Sequence, residues 1–201
     1  MATETVRCFI AVELPEDVQR ALARLQQGLQ ARLGRTQGPA VRWVAPAGIH
    51  LTLKFLGSVP TDQLAEIDQS LRLAIDGVPR CMVIVSGLGM FPNQSRPRVI
   101  WVGVGGDVAA LAELQRRVEL ATVSMGFPSD QRAFSPHLTL ARIREELGAA
   151  ERRAVGACIA GERFDSRLVV PVREVSLMRS ELSHAGAKYS RLAAVALAEQ
   201  G

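Results

Sequence analysis

Two four-residue segments of this chain are identical. Residues 50–53 and 137–140 both read His-Leu-Thr-Leu, and the copies stand 87 residues apart. In a strand, residues i and i+2 share a face. Each copy therefore presents an imidazole and a hydroxyl together, and turns Leu51, Leu53, Leu138 and Leu140 to the opposite side. A single such segment reads as a half-buried strand with a satisfied histidine. Two copies, using two of the three histidines in the chain, point to chemistry instead. An imidazole gives or takes a proton near neutrality, and a threonine hydroxyl donates to an anionic oxygen. His50 and His137 as an acid–base pair, with Thr52 and Thr139 as donors, suit metal-free proton transfer on a phosphate. A zinc site would want a third ligand such as Asp, Glu or Cys at a telling spacing, and neither copy supplies one.

The neighbours of the two copies carry further candidates. Lys54 stands at i+4 from His50, on the same face of a regular strand, and reads either as a substrate contact or as a solvated rim charge. Arg142 stands at i+5 from His137, so an ideal strand turns it away, and only a bulge or strand end lets it reach a phosphate. Arg42 and Trp43 could line a cleft, with core packing the better reading for the tryptophan. Phe55 and Phe134 could stack on a base; core packing is the better reading for Phe55, while Phe134 is kept as a substrate-binding candidate.

The elements that must hold these residues are legible from periodicity. Val6 to Leu14 is a buried strand, followed by a helix that opens at Pro15 with Glu16 and Asp17 at its positive end. That helix carries Val18, Leu22, Leu25 and Leu29 and stops at Gly34. Strands are expected at 41–44 and 50–56, a helix from Thr61-Asp62 onward, and strands at 82–85 and 99–104 around a polar loop, 93–98. A helix at 107–125, a strand at 137–143, a helix at 149–160, and three strand-like runs at 167–172, 174–179 and 189–197 complete the chain. Interleaved elements with a strand-rich, short-connected tail predict an α+β fold with antiparallel or mixed sheets rather than a doubly wound parallel one. No glycine-rich dinucleotide or P-loop fingerprint is present.

Composition narrows the class. With 201 residues, 48% hydrophobic and 22% charged, the chain can bury a core without staples and is read as one domain spanning 1–201. Disorder is excluded as the main description. No apolar run approaches the roughly 20 residues of a membrane helix, and Glu4 and Arg7 precede any apolar stretch, unlike a secretion signal. Cys8, Cys81 and Cys158 are an odd, scattered set and read as buried reduced thiols. A cytoplasmic, monomeric protein without membrane contact is expected. The net charge is +4, and all but Lys54 and Lys188 of the 24 Lys and Arg residues are arginine. Arginine suits bidentate phosphate contacts, though the excess is spread along the chain.

Together with their flanks, these motifs resemble a known family. Arg7-Cys-Phe-Ile-Ala-Val-Glu-Leu-Pro15, Arg42-Trp43-Val44, His50-Leu-Thr-Leu-Lys-Phe-Leu-Gly57, Ser135-Pro136-His137-Leu-Thr-Leu-Ala-Arg142, and a tail of Ser180-Glu181-Leu182 with Gly186 and Tyr189 are similar to the 2H phosphoesterases. Within them they resemble the RNA 2′,3′-cyclic phosphodiesterases, also called the 2′-5′ RNA ligase family. His184 departs from the pattern, which often has proline there. The resemblance implies two pseudo-symmetric lobes, with one H-x-T-x motif on each facing a central cleft. It implies hydrolysis of an RNA 2′,3′-cyclic phosphate to a 2′-phosphomonoester without cofactor or metal. His50 would be the proton donor and His137 the acceptor, Thr52 and Thr139 would hold the non-bridging oxygens, and Arg142 would touch phosphate.

The motif alone leaves other uses of the same site open. These are a 2′-5′ RNA ligase, a phosphodiesterase for 2′-5′ linkages or small cyclic nucleotides, and a non-catalytic binder of RNA ends. The intact pair of histidines and threonines argues against the last.

Overall fold

A computed structural model describes residues 4–183 and 186–199; His184 lies outside them. Strand β1 (Thr5–Glu13) leads into helix α1 (Glu16–Gln37), whose polypeptide kinks at Gly34, φ 59°. The short β2 (Val41–Trp43) precedes β3 (His50–Pro60), which carries the first motif, and helix α2 (Leu64–Ile75) follows. Strands β4 (Cys81–Phe91) and β5 (Val99–Gly106) form a hairpin ahead of helix α3 (Val108–Ser124). Strand β6 (His137–Ile143) carries the second motif. Helix α4 (Ala149–Ala160) and strands β7 (Leu168–Val172), β8 (Glu174–Ser183) and β9 (Gly186–Ala196) end the chain.

All these strands join one curled sheet in the order β7-β4-β5-β6-β3-β1-β8-β9, with β2 also paired to β6. Every ladder between them is antiparallel. The α+β class and the two lobes are present as two halves of this sheet. They meet at β3 and β6, where a single ladder pair, Leu51 opposite Leu138, holds the motif strands together.

The halves repeat one another. In the first, β1 flanks β3 and α1 connects them; in the second, β5 flanks β6 and α3 connects them. Helix α1 packs on α4, and its counterpart α3 packs on α2. The main core lies between helices and sheet: Leu51, Leu53, Leu138 and Leu140 join Leu22, Leu29, Ile67, Leu71, Leu111 and Leu114, all at most 3% exposed. Burying several such side chains at about 1.5–3 kcal/mol each fixes which sheet face turns inward, and so leaves the histidine face outward. Cys8 and Cys81 are buried, and burial pushes both thiols up.

Candidate active site

His50 and His137 open their strands and are both half-buried. Each is oriented by its own backbone. The His50 Nδ1 lies 2.8 Å from the Gly48 carbonyl oxygen, and the His137 Nδ1 lies 2.7 Å from that of Ser135. A carbonyl only accepts, so Nδ1 carries the hydrogen and donates. Nε2 is then the free nitrogen: an acceptor on the neutral ring, the site of the labile proton on the imidazolium. Both rings are thus held in the tautomer that proton transfer at Nε2 requires.

Aromatic side chains fix the ring planes. Phe9 stacks on His50 at 4.5 Å, and Tyr189 meets His50 edge-on at 5.1 Å. Around His137, Phe91 stands edge-on at 4.9 Å, with Trp101 at 6.5 Å. Residue spacing carries no sign of these four partners, which come from β1, β9, β4 and β5. The strand Phe91 ends is longer than periodicity predicts, because Gly87 and Gly89 interrupt the apolar run.

Thr52 and Thr139 follow on the same face and are half-buried like the histidines. Beyond them each motif strand is bulged. Against β1, Ile10 pairs with Lys54 and Ala11 with Thr52, leaving Leu53 unpaired; against β5, Ile100 pairs with Ala141 and Trp101 with Thr139, leaving Leu140 unpaired. The bulge shifts the alternation by one residue. Burial along 50–56 and 137–143 is consequently identical, with Lys54 and Ala141 turned inward and Phe55 and Arg142 outward. A glutamine serves each bulge from the other half of the chain. Gln26 of α1 donates to the Leu140 oxygen at 3.0 Å, and Gln115 of α3 donates to the Leu53 oxygen at 3.4 Å.

These bulges decide three of the candidate residues. Arg142 stands exposed on the face of His137 and Thr139, and its charge is felt at His50. Lys54 turns away from the face of His50 and Thr52, in contrast to the expectation from a regular strand. It is 2% exposed, and its Nζ donates at 2.8 Å to Glu119 Oε1 and at 2.6 Å to the Pro128 oxygen. Phe55 is 59% exposed rather than in the core, its ring 6.2 Å from Phe9. Phe134, by contrast, is half-buried against the main core and not among the rings around either histidine. Trp43 also packs on the core, as expected, while Arg42 is exposed.

The surroundings of the two histidines differ where the motifs do not. Glu13 pairs with His50 across the β1–β3 ladder, whereas the corresponding residue opposite His137 is Gly103. The Glu13 carboxylate accepts from the Ser176 hydroxyl at 2.7 Å and from Arg191 Nε at 2.6 Å. Burial lowers the proton affinity of His50 below the ordinary imidazole value; the Gly48 hydrogen bond and the Glu13 charge oppose this, and Arg142 adds to it. Among the described residues, no three His, Cys, Asp or Glu side chains converge as metal ligands would.

The model of the family described as "LigT like Phosphoesterase" matches residues 12–101 and 104–189, each stretch containing one H-x-T-x motif. The chain belongs to the LigT-like phosphoesterase family. Among its LigT-like relatives, a Methanothermobacter thermautotrophicus protein named RNA 2′,3′-cyclic phosphodiesterase is 34% identical over 185 residues, 92% of this chain and 95% of the relative. An Aeropyrum pernix protein of the same name is 36% identical over 168 residues, covering 82% and 90%. A crystal structure from Thermus thermophilus superposes with TM-score 0.74 at 28% identity, covering 95% of this chain and 97% of that one. Escherichia coli LigT complexed with 3′-AMP superposes with TM-score 0.75 at 23% identity, covering 96% and 99%, a likeness of fold.

Proposed function

We propose that this LigT-like phosphoesterase hydrolyses the 2′,3′-cyclic phosphate at an RNA end to a 2′-phosphomonoester, acting as a cytoplasmic monomer. One observation carries the reading: two motif strands meet at Leu51–Leu138, and each delivers a histidine whose Nδ1 is tied to a carbonyl and whose Nε2 is free. Opening a cyclic phosphodiester by in-line attack needs a base and an acid on opposite sides of phosphorus. A pseudo-symmetric histidine pair supplies both.

In this mechanism His137 Nε2 takes a proton from water as the water oxygen bonds to phosphorus. The bond from phosphorus to O3′ breaks, and His50 gives its Nε2 proton to the departing oxygen. The 2′-phosphate remains on the ribose, and proton exchange with solvent resets both rings. Thr52 and Thr139 donate to the non-bridging oxygens as charge develops, and Arg142 adds a cation on the same face. The Glu13 carboxylate favours the protonated form of His50, against the burial that on balance lowers its proton affinity.

Product analysis on an RNA bearing a 2′,3′-cyclic end tests this. The expected product is a 2′-phosphate, and His50→Ala and His137→Ala should each cost about 10²- to 10⁴-fold in rate. Because the two act together, the double variant should lose far less than the product of the single losses. A 3′-phosphate product, or a folded variant that lacks either histidine and keeps its rate, overturns the reading.

A further inference from the structure

Arg42 of β2 and Arg142 of β6 are direct partners in an antiparallel ladder. Opposite residues in such a pair point to the same face, with Cβ atoms about 4.5–5.5 Å apart, and like charges placed so are destabilising. Both side chains are exposed. Several arginines of this chain lie against carboxylates, among them Arg20, Arg72, Arg116, Arg117 and Arg191; what sets Arg42 and Arg142 apart is that two cations face each other directly. Among the described residues, neither Arg42 nor Arg142 has a carboxylate or a hydrogen-bond acceptor for its guanidinium. The face that carries the histidines therefore holds two adjacent cations with no carboxylate beside them among the described residues.

Their position gives a second anion a direction. Strand β5 occupies one edge of β6, so β3 and β2 share the other: β3 at Leu138, β2 at Ala141 to Ile143. Moving along β6 from the Leu51–Leu138 pair, the outward side chains are Thr139, then Arg142, with Arg42 beside it on the next strand. A chain of phosphates starting at the threonines would meet these guanidiniums in that order. The opposite end of the pseudo-symmetric site offers no such track, since Phe55 stands there in place of Arg142.

We infer that Arg42, next to Arg142, forms a second phosphate subsite that takes the phosphodiester on the 5′ side of the terminal nucleotide. This rests on the proposed phosphodiesterase function and deepens it. The enzyme then selects a cyclic end carried on at least one further nucleotide over an isolated nucleoside 2′,3′-cyclic phosphate. Planar, bidentate donors suit a phosphodiester with two free oxygens.

The test compares three substrates: a nucleoside 2′,3′-cyclic phosphate, a dinucleotide with a 2′,3′-cyclic end, and that dinucleotide with a neutral methylphosphonate linkage. For the wild type, KM should be about tenfold lower for the charged dinucleotide than for either other substrate, the effect of one charge-assisted contact. In Arg42→Gln this ratio should collapse towards one, and the salt dependence of dinucleotide binding should lose roughly 0.7 in its logarithmic slope. Turnover of all three substrates with equal KM by the wild type overturns the subsite while leaving the phosphodiesterase function standing. So does an Arg42→Gln variant that keeps the full preference. Absence of turnover on every cyclic end removes the function and the subsite together.

Discussion

Leu51 and Leu138, the second residues of the two identical motifs, face each other across the junction of β3 and β6. Equivalent residues that pair in an antiparallel ladder place a local twofold axis between them. The axis relates His50 to His137, Thr52 to Thr139, and the Leu53 bulge to the Leu140 bulge. It also relates the helices: α1 reaches across to the second bulge through Gln26, and α3 to the first through Gln115. Each half of the sheet is therefore shaped by a side chain from the other.

That exchange makes Gln26 a structural tie with a measurable cost. Gln26 is 4% exposed and donates to the Val44 oxygen at 2.8 Å as well as to Leu140. Gln26→Leu should destabilise the fold by about 1–3 kcal/mol, because a buried carbonyl loses its partner. Since the Leu140 bulge aims Arg142, turnover should fall too. Urea unfolding and a rate measurement on the same variant check both effects; an unchanged midpoint would show that the bulge holds itself.

Lys54 presents the opposite case to its candidacy as a substrate contact. Burial pushes the Glu119 carboxyl up, but Lys54 and the Asp130 amide more than offset this and hold it below the usual value. The Lys54 Nζ lies 2.8 Å from both Glu119 oxygens, with hydrogen-bond geometry only to Oε1. Lys54→Met leaves a carboxylate largely buried without its cation, which costs about 3–5 kcal/mol. The Lys54→Met, Glu119→Leu double variant should recover much of that loss. A Lys54→Met protein of unchanged stability with a raised KM would return the residue to the substrate.

Sequence periodicity located the strands, the helices and both motifs because those depend on which residues must leave water. Ends differed by a few residues, and β4 ran on past Gly87 and Gly89. Side-chain direction after the bulges was legible only in part. Arg142 required a bulge to reach the histidine face, and one is there; Lys54 needed its strand to stay regular, and the equivalent bulge turned it inward. Periodicity carries no mark of a one-residue insertion set by cross-strand pairing and a distant glutamine. The rings of Phe9, Phe91, Trp101 and Tyr189, and the carboxylate of Glu13, reach the histidines only through the tertiary fold.

The pH profile tests the roles of the two histidines. If His50 is the acid, kcat/KM falls on the alkaline side through an apparent pKa that belongs to the histidine pair, and burial, by lowering the proton affinity of His50, draws that limb to lower pH. Removing the Glu13 carboxylate takes away a contribution that raises His50, so Glu13→Gln should move the alkaline limb to lower pH. Stability runs the opposite way with pH. His50 binds its proton less readily folded than unfolded, so stability rises with pH between the folded value and 6.5. Glu13→Gln widens that interval. Movement of the acidic limb instead would make His50 the base.

Arg142→Ala should shift the same limb the other way, because the guanidinium contributes to lowering His50. The variant also removes a cation from the phosphate face, so kcat/KM on a cyclic-phosphate end should drop about tenfold or more, as for a lost charged hydrogen bond. Stability should not fall, since Arg142 has no partner to lose among the described residues and stands opposite another arginine, Arg42. Arg167→Ala, at an exposed position just before β7, is the matched control for removing one positive charge and should change neither rate nor pH profile. Equal, small effects at both positions would make Arg142 an ordinary solvated surface charge.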